Sequence, residues 1–455
     1  MSGEAAAAAS RAPPHPLTSD LSRLAKLAAP VVASRLGVMV MGLTDTVVVG
    51  RYSAEQLGYM ALAWTGVGAV LGAAMGLLSG VQVMASRSIG EGRPDRAGAA
   101  LRRGLVYSVW VGLAAALVLG FGGPPALGAL GLKGGLAEGA AAPLRLLAAS
   151  MPFFALSSAS ASWLEGLGRM TPPMVIMWVA NALNLALDLV LVPGRFGLPA
   201  LGATGAATAT LTGRVFLSIA TIAYIATMKD ARRFGVFARP ERSRALEGEQ
   251  RRIGYGAAAS SFFEMASFAS MNVVAGWISA LTVAAWAVTL NTLAIVCMVP
   301  LGLSTATGVM VGQAYGARDA AALRRAALVG FAVTFTFGVL IGIAVWPVRG
   351  AIAPAYTSDS AAIALSVGAL GLACLFFLPD GMQVVVAQAL RARGDVVVPS
   401  FTHLASYVLV MMPLAYVLAI QAGWGLNGIM VAVTVASYLS AGLLVARFWM
   451  LARRG

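Results

Sequence analysis

Charged residues are scarce in this sequence, at 11% of 455 residues, whereas hydrophobic residues make up 59% and the mean hydropathy is +0.82. A soluble fold of this length could not bury so much apolar surface. Apolar runs long enough to cross a bilayer core of about 30 Å recur along the whole chain. The composition therefore excludes a soluble protein and predicts an all-α integral membrane protein with many spans.

Cysteine and histidine are also scarce. Cys297 and Cys374 each lie inside an apolar run, which excludes a disulfide framework and a CxxC metal site and favours packing roles. The two histidines are His15 and His403, and no HExxH, GxSxG or Walker A motif occurs. These absences indicate that the protein is not an enzyme and needs no cofactor.

The net charge of +14 could suggest a nucleic-acid partner, but the basic residues lie in short connections between apolar runs. This distribution is typical of the positive-inside rule and indicates membrane lipid, not nucleic acid, as the surroundings. The first 20 residues have no basic segment followed by an apolar one, so we interpret residues 1–20 as a disordered cytosolic tail.

Apolar runs bounded by charge, glycine or proline predict twelve spans. They lie near 27–50, 57–85, 104–122, 144–164, 173–192, 200–228, 253–280, 284–312, 326–347, 361–390, 397–421 and 425–446. The charged segment 229–252 is the predicted cytosolic linker between two halves, 21–228 and 253–455. We therefore expect two six-helix bundles around a central cleft.

Orientation follows from lysine and arginine. The tail, the even-numbered connections and the C-terminus hold 25 of these residues, whereas the odd-numbered connections hold five. Because basic residues favour the cytoplasmic side, both termini are predicted to be cytoplasmic, in the plasma (inner) membrane.

The two halves resemble each other. The segment SRSIGEGRPDRAGAALRRG (86–104) corresponds to GQAYGARDAAALRRAA (312–327), and WLEGLGRMTPP (163–173) corresponds to AQALRARGDVVVP (387–399). Equivalent motifs on one membrane side predict a parallel repeat about an axis along the membrane normal. Chance similarity between helices rich in glycine and alanine is the alternative.

Acidic residues inside apolar spans are the first candidates for a functional site, because an ionised carboxylate in lipid is costly. Asp45 lies between two threonines and could bind a cation or a proton. Glu264 follows two phenylalanines, which would favour its neutral form. Asp380 follows Pro379, which predicts a break in that helix. Each of these three residues has an alternative interpretation. Asp45 could be an interfacial aspartate that faces water, Glu264 could be a structural glutamate, and Asp380 could belong to a turn that only shapes the backbone.

A fourth acid belongs to a polar stripe. Asn181, Asn184 and Asp188 are spaced i, i+3 and i+7, and so share one helix face. The stripe could serve ion binding or interhelical hydrogen bonding. Arg214, in the next span, could pair with Asp188 and remove both from ion binding.

From Leu21 to Phe448 the chain resembles the multidrug and toxic compound extrusion (MATE) family. The stretches that carry the resemblance are MGLTDTVVVG (41–50), NALNLALDLVLV (181–192) with GLPALGATGAATAT (197–210), MVPLGLSTATGVMVGQAYGARD (298–319) and DGMQVVVAQALRARGDVVVP (380–399). Their order and spacing are more specific than any one of them. The resemblance implies two bundles whose cleft opens alternately to each side and a monomer that exports small cationic amphipathic compounds in exchange for Na⁺ or H⁺.

The resemblance also implies site residues. One branch of the family would place ion coupling at Asp45, Glu264 and Asp380, and another at Asp45, Asn184 and Asp188 with Thr210. Na⁺ is possible at Glu264 and Asp380 or at Asp45, Asn184 and Asp188, and the sequence does not decide between the bundles or the ions. The candidates for the substrate cleft are Asn181, Thr210, Gln383 and Asn291. Where many members have His-Gln, this chain has Trp286-Ala287, which removes a polar side chain from the expected cleft.

Three other classes are alternatives. A major facilitator transporter also has twelve spans in two halves, and GRPDRAGAALRR (92–103) approaches its loop signature, although Gly92 and Asp95 are one residue too close. A lipid-linked oligosaccharide flippase would favour a cationic cavity, whereas four of the six charges inside the spans are acidic; the six are Arg35, Asp45, Asp188, Arg214, Glu264 and Asp380. An integral membrane enzyme is the third.

Overall fold

The computed structural model describes residues 17–129, 135–238, 243–357 and 359–454. Residues 1–16 of the predicted tail and 239–242 of the predicted linker lie outside the described residues, whereas 17–20 and 244–252, predicted as tail and linker, are helical. Within the described ranges the chain forms twelve long helices and no strand. They are α1 (Leu17–Tyr52), α2 (Ala54–Gly90), α3 (Asp95–Ala129), α4 (Leu136–Gly166), α5 (Thr171–Leu191), α6 (Ala203–Thr227), α7 (Arg244–Ile278), α8 (Ala280–Gly316), α9 (Ala320–Ala355), α10 (Ser360–Ala392), α11 (Val397–Gln421) and α12 (Gly425–Arg454).

Eleven of these helices are long and apolar enough to cross a membrane. The remaining helix, α7, is more polar, because it begins with the charged run RALEGEQRR and carries Glu264. Each predicted span overlaps one of the twelve helices over nearly all of its length. The all-α membrane fold predicted from composition is thus confirmed.

The predicted break at Pro379 is wrong. Helix α10 runs without interruption from Ser360 to Ala392, with Pro379 inside it. A proline removes one backbone donor and can bend a helix, but neighbouring helices can hold the chain in helical form. Helix α10 packs against α8, α9 and α12, so its conformation is supported on several sides.

The two sets of six helices pack in the same way. In the first set α1 contacts α5, α2 contacts α4, and α6 contacts α4 and α5. The corresponding contacts of the second set are α7 with α11, α8 with α10, and α12 with α10 and α11. Between the sets, α2 contacts α7 and α1 contacts α8. These two contacts are also equivalent, because α1 corresponds to α7 and α2 corresponds to α8. The chain is therefore built from two pseudo-symmetric six-helix bundles.

The bundles are joined at the end where α2 and α8 finish and where the repeated basic motifs lie; we call this the basic end. There Leu24 of α1 shares one apolar cluster with Met310 of α8, and Val83 of α2 shares another with Ile253 of α7. The large clusters at the opposite end each belong to one bundle. The apolar clusters that bridge the bundles therefore lie at the basic end, and the large clusters at the opposite end do not bridge them.

Glycine permits the close crossing of α2 with the second bundle. A Cβ atom at Gly80 would overlap the carbonyl oxygen of Gln250 in α7, and one at Gly90 would overlap that of Gln313 in α8. Only a residue without a side chain fits where two backbones approach so closely.

Candidate functional site

The structure divides the predicted acidic residues between two sites, one in each bundle. Asp45, Asn184, Asp188 and Thr210 come together from α1, α5 and α6; we call them the N-terminal carboxylate cluster. Glu264 of α7 and Asp380 of α10 belong to a second group with Gln383, the C-terminal carboxylate cluster. Asp45 therefore lies in a different bundle from Glu264 and Asp380.

The N-terminal carboxylate cluster is deeply buried. Asp45 is 1% exposed, and Asn184 and Asp188 are both 0% exposed. Thr210 Oγ1 donates a hydrogen bond to Asp45 Oδ2 at 2.7 Å, and Asp188 and Asn184 lie close to the same carboxyl group. Helix geometry explains this, because Asn184 and Asp188 are one turn apart on the face of α5 that meets α1 and α6.

Several oxygen atoms of this cluster have no hydrogen-bond partner among the described residues. They are Asp45 Oδ1, Asn184 Oδ1 and both carboxylate oxygens of Asp188. Buried oxygens of this kind are costly unless a proton or a cation satisfies them. Two carboxylates, an amide and a hydroxyl together form an oxygen-rich donor set of the kind that hard cations prefer.

The suspected ion pair between Asp188 and Arg214 is not made. Arg214 is buried, but its Nη1 donates to Ser150 Oγ of α4 at 2.6 Å, and its guanidinium lies over the rings of Trp64 and Phe154 at 5.6 and 5.2 Å. No ion pair joins it to Asp188 in the part of the chain that the structure describes. Asp188 therefore remains available to a bound ion.

Asn181, the first member of the polar stripe, has a different role from its neighbours. Its Nδ2 donates to the carbonyl of Gly37 in α1 at 2.8 Å, so it makes the interhelical hydrogen bond that was the alternative interpretation of the stripe. Its Oδ1 is buried and has no partner among the described residues. Asn181 therefore braces α5 against α1 beside the N-terminal carboxylate cluster.

The C-terminal carboxylate cluster is less enclosed. Gln383 Nε2 donates to Glu264 Oε1 at 2.9 Å, while Asp380 lies one turn earlier on α10, near Gln383 and Cys297. Glu264 is half-buried, and of the two preceding phenylalanines Phe263 is half-buried whereas Phe262 is 61% exposed. The polar partner of Glu264 is an amide.

Other predicted positions have separate surroundings. Asn291 is exposed and its amide donates to the carbonyl of Ala287 on its own helix at 2.9 Å. Trp286, expected to alter the cleft, is instead fully buried in an apolar cluster of the second bundle. Cys297 is a free thiol that lies beside Asp380. No sequence pattern indicates this proximity, because Cys297 is a single cysteine in an apolar run.

Comparison with known proteins agrees with the fold and with the repeat. The model of the MatE family matches this chain twice, at residues 30–190 and 257–417. The two matches lie in the two bundles, so both halves resemble the same unit.

Several bacterial proteins match nearly the whole chain. A probable multidrug resistance protein NorM of Caulobacter vibrioides is 55% identical over 439 residues, which are 96% of this chain and 93% of the relative. The multidrug resistance protein NorM of Aliivibrio fischeri is 28% identical, with 89% of this chain and 88% of the relative covered.

Solved structures share the fold. A crystal structure of MATE in the bent conformation has a TM-score of 0.88 at 19% identity and covers 97% of this chain and 98% of its own. An outward-facing multidrug resistance MATE family transporter of the MOP superfamily has a TM-score of 0.86 at 20% identity, with 96% and 97% covered.

Proposed function

Because this chain belongs to the MatE family of multidrug and toxic compound extrusion transporters, we propose that it is a secondary active antiporter. It exports small cationic amphipathic compounds in exchange for Na⁺ or H⁺ by alternating access. It works as a monomer in the plasma (inner) membrane, with both termini in the cytoplasm, and it is not an enzyme. The relatives named multidrug resistance proteins support the class of substrate.

The observation that carries this proposal is the N-terminal carboxylate cluster. Two carboxylates buried together repel each other and lose their hydration, so at least one must be neutralised by a proton or balanced by a cation. The free oxygens of Asp188 and Asp45 point to such an occupant. We assign ion coupling first to Asp45, Asn184, Asp188 and Thr210.

The C-terminal carboxylate cluster suits the cationic substrate. Glu264 is half-buried and Asp380 is close to it, so together they offer carboxylate oxygens to a cation in the second bundle. Ion binding in the first bundle and substrate binding in the second can be coupled only if each ligand has different affinities for the two open forms. Uptake of the ion from outside then favours release of the substrate there.

The test uses purified protein in liposomes, with export of a fluorescent organic cation driven by a Na⁺ gradient or by a pH gradient. Asp45→Asn with Asp188→Asn should abolish ion-driven export. Glu264→Gln with Asp380→Asn should weaken the binding of the cation. Glu138→Gln, which neutralises an exposed carboxylate near the start of α4, is the matched control.

Two results would refute the assignment. If the Asp45→Asn, Asp188→Asn protein exports at the normal rate under both gradients, the N-terminal carboxylate cluster does not couple the ion. If neither gradient drives export by the normal protein, antiport itself is wrong. Transfer of a lipid-linked oligosaccharide in the same liposomes would favour the flippase alternative. The major facilitator alternative is excluded already, because both halves of the chain match the MatE family.

A further inference from the structure

A cavity of about 910 Å³ lies at the basic end, between the two bundles. Its walls come from the ends of α2, α8 and α10 and from the starts of α3, α7 and α9. It is remote from the N-terminal carboxylate cluster, since Asp45 and Asp188 lie near the opposite ends of α1 and α5. We call it the basic cavity.

The basic cavity brings together the two copies of the repeated basic motif. Arg93 and Arg103 of the first copy (86–104) and Arg318 and Arg324 of the second copy (312–327) all line it. The export function proposed above uses neither copy. The two copies of the repeated motif therefore lie side by side where the two bundles are joined.

Positive charge in the basic cavity exceeds negative charge. Seven arginines line it, against the three acidic residues Glu91, Glu249 and Asp319. Two of the arginines form ion pairs, Arg87 with Glu249 at 2.6 Å and Arg96 with Glu91 at 3.5 Å. The other five have no carboxylate within 4.0 Å among the described residues: Arg93, Arg103, Arg318, Arg324 and Arg393.

Two of these five arginines also present unused donors. Arg103 Nη1 and Arg393 Nη1 are both shielded from solvent and have no hydrogen-bond partner among the described residues. Their other contacts hold them in place: Arg103 Nε donates to Gln250 at 3.3 Å, and Arg393 Nη2 donates to the carbonyl of Leu451 at 3.0 Å. An unsatisfied buried guanidinium donor is costly, and phosphate oxygens match its geometry.

We propose that the basic cavity binds a phosphate-bearing anion, either the headgroup of an anionic phospholipid or a soluble phosphate ester. Because both bundles supply its walls, the bound anion stabilises the form in which the bundles are joined at this end. A ligand that bridges two bodies binds the joined form more tightly than the separated one. This binding does not depend on the export reaction.

The experiment measures the thermal unfolding midpoint of the full-length protein in detergent at constant ionic strength. One arm adds pyrophosphate, with chloride of equal ionic strength as reference, because salt alone screens arginines. The other arm adds dihexanoyl phosphatidylglycerol, with dihexanoyl phosphatidylcholine as the neutral lipid. A rise with pyrophosphate identifies a soluble anion, and a rise with phosphatidylglycerol alone identifies a headgroup.

The variant Arg103→Gln with Arg393→Gln should weaken the apparent affinity at least about tenfold, since hydrogen bonds to charged groups are lost. Arg232→Gln with Arg233→Gln removes the same charge from exposed positions outside the basic cavity and should leave it unchanged. Should the first variant fold poorly, Arg318→Gln with Arg324→Gln alters two exposed side chains of the cavity and should weaken binding in the same direction.

Two outcomes would overturn the proposal. One is an unfolding midpoint that responds to neither pyrophosphate nor phosphatidylglycerol. The other is an equal response from the normal protein and from whichever cavity variant folds, because the anion would then act through general charge and not through these arginines.

Discussion

Arg87 Nε of α2 donates a hydrogen bond at 2.9 Å to the carbonyl of Ala392, the last residue of α10. The same side chain donates to Glu249 Oε1 of α7 at 2.6 Å and lies over the ring of Tyr315 in α8 at 4.8 Å. One buried arginine of the first bundle thus holds three helices of the second. Its charge also suits the carbonyls that end α10, where the helix dipole is negative.

Arg87→Gln should shift the protein towards the form that opens at the basic end. The hydrogen bonds lost involve the charged guanidinium of Arg87 and are each worth about 1.5–3 kcal/mol, so the ratio of the two forms should change by at least about tenfold. Spin labels at Lys229 and Ala321, exposed positions on the two bundles, would report the change as a longer distance.

The matched control for Arg87 is Arg96→Gln. Arg96 forms a half-exposed ion pair with Glu91 within one bundle, and such pairs contribute little. The role assigned to Arg87 would be wrong if both substitutions left the label distance unchanged.

Gly80→Ala should open the same end for a steric reason. The added methyl group meets the backbone of α7 at Gln250, and overpacking of this kind costs about 1–3 kcal/mol. Gly68→Ala, on the same helix with no neighbouring atom within 4 Å of the added Cβ, should leave the label distance as it was. Equal distances in the two variants would show that this crossing does not control opening.

Thr210→Val should alter ion dependence. It removes the hydroxyl that donates to Asp45 Oδ2, together with one oxygen of the N-terminal carboxylate cluster. The ion concentration that gives half-maximal export should change by about tenfold, as expected for the loss of a hydrogen bond to a charged group. Liposome export at varied Na⁺ or pH measures it.

Two controls accompany Thr210→Val. Thr210→Ser keeps the hydroxyl and should preserve ion dependence. Thr208→Val removes a hydroxyl that bonds only within α6, to the carbonyl of Thr204, and should also be neutral. A normal ion dependence in Thr210→Val would remove Thr210 from the cluster's function.

Asn181→Leu should lower stability without changing substrate preference, because the amide braces α5 against Gly37 of α1. Interhelical hydrogen bonds of membrane proteins contribute about 0.6 kcal/mol on average and at most about 1.7 kcal/mol. The unfolding midpoint measures this loss. Asn291→Leu, at an exposed amide bonded within its own helix, should leave the midpoint unchanged; altered substrate preference in Asn181→Leu alone would contradict the bracing role.

The sequence predicted the spans and the repeat well, and the reason is physical. An apolar run of twenty residues has lipid as its solvent whatever its neighbours are, so its helix can be predicted locally. The exception is Pro379, where a local rule predicted a break and the packing of α10 kept the helix continuous. The tendency of a single proline to interrupt a helix is overcome where several neighbouring helices hold the backbone in place.

Pairing between side chains could not be predicted in the same way. Arg214 and Asp188 are both buried and oppositely charged, yet Arg214 binds Ser150 and two aromatic rings. Gln383, one of several cleft candidates, donates a hydrogen bond to Glu264, which its position in the sequence does not indicate. Such choices depend on the rotation of each helix about its axis, which adjacent residues in the sequence do not specify.

The sequence by itself determined that this is a two-fold repeated helical membrane protein with acids inside its spans, because hydropathy and motif spacing are properties of the chain alone. Only the tertiary structure decided that Asp45 and Asp188 share one buried site while Glu264 and Asp380 belong to another. The physical reason is that carboxylates on different helices meet only when those helices pack, and packing is set by the whole surface of each helix.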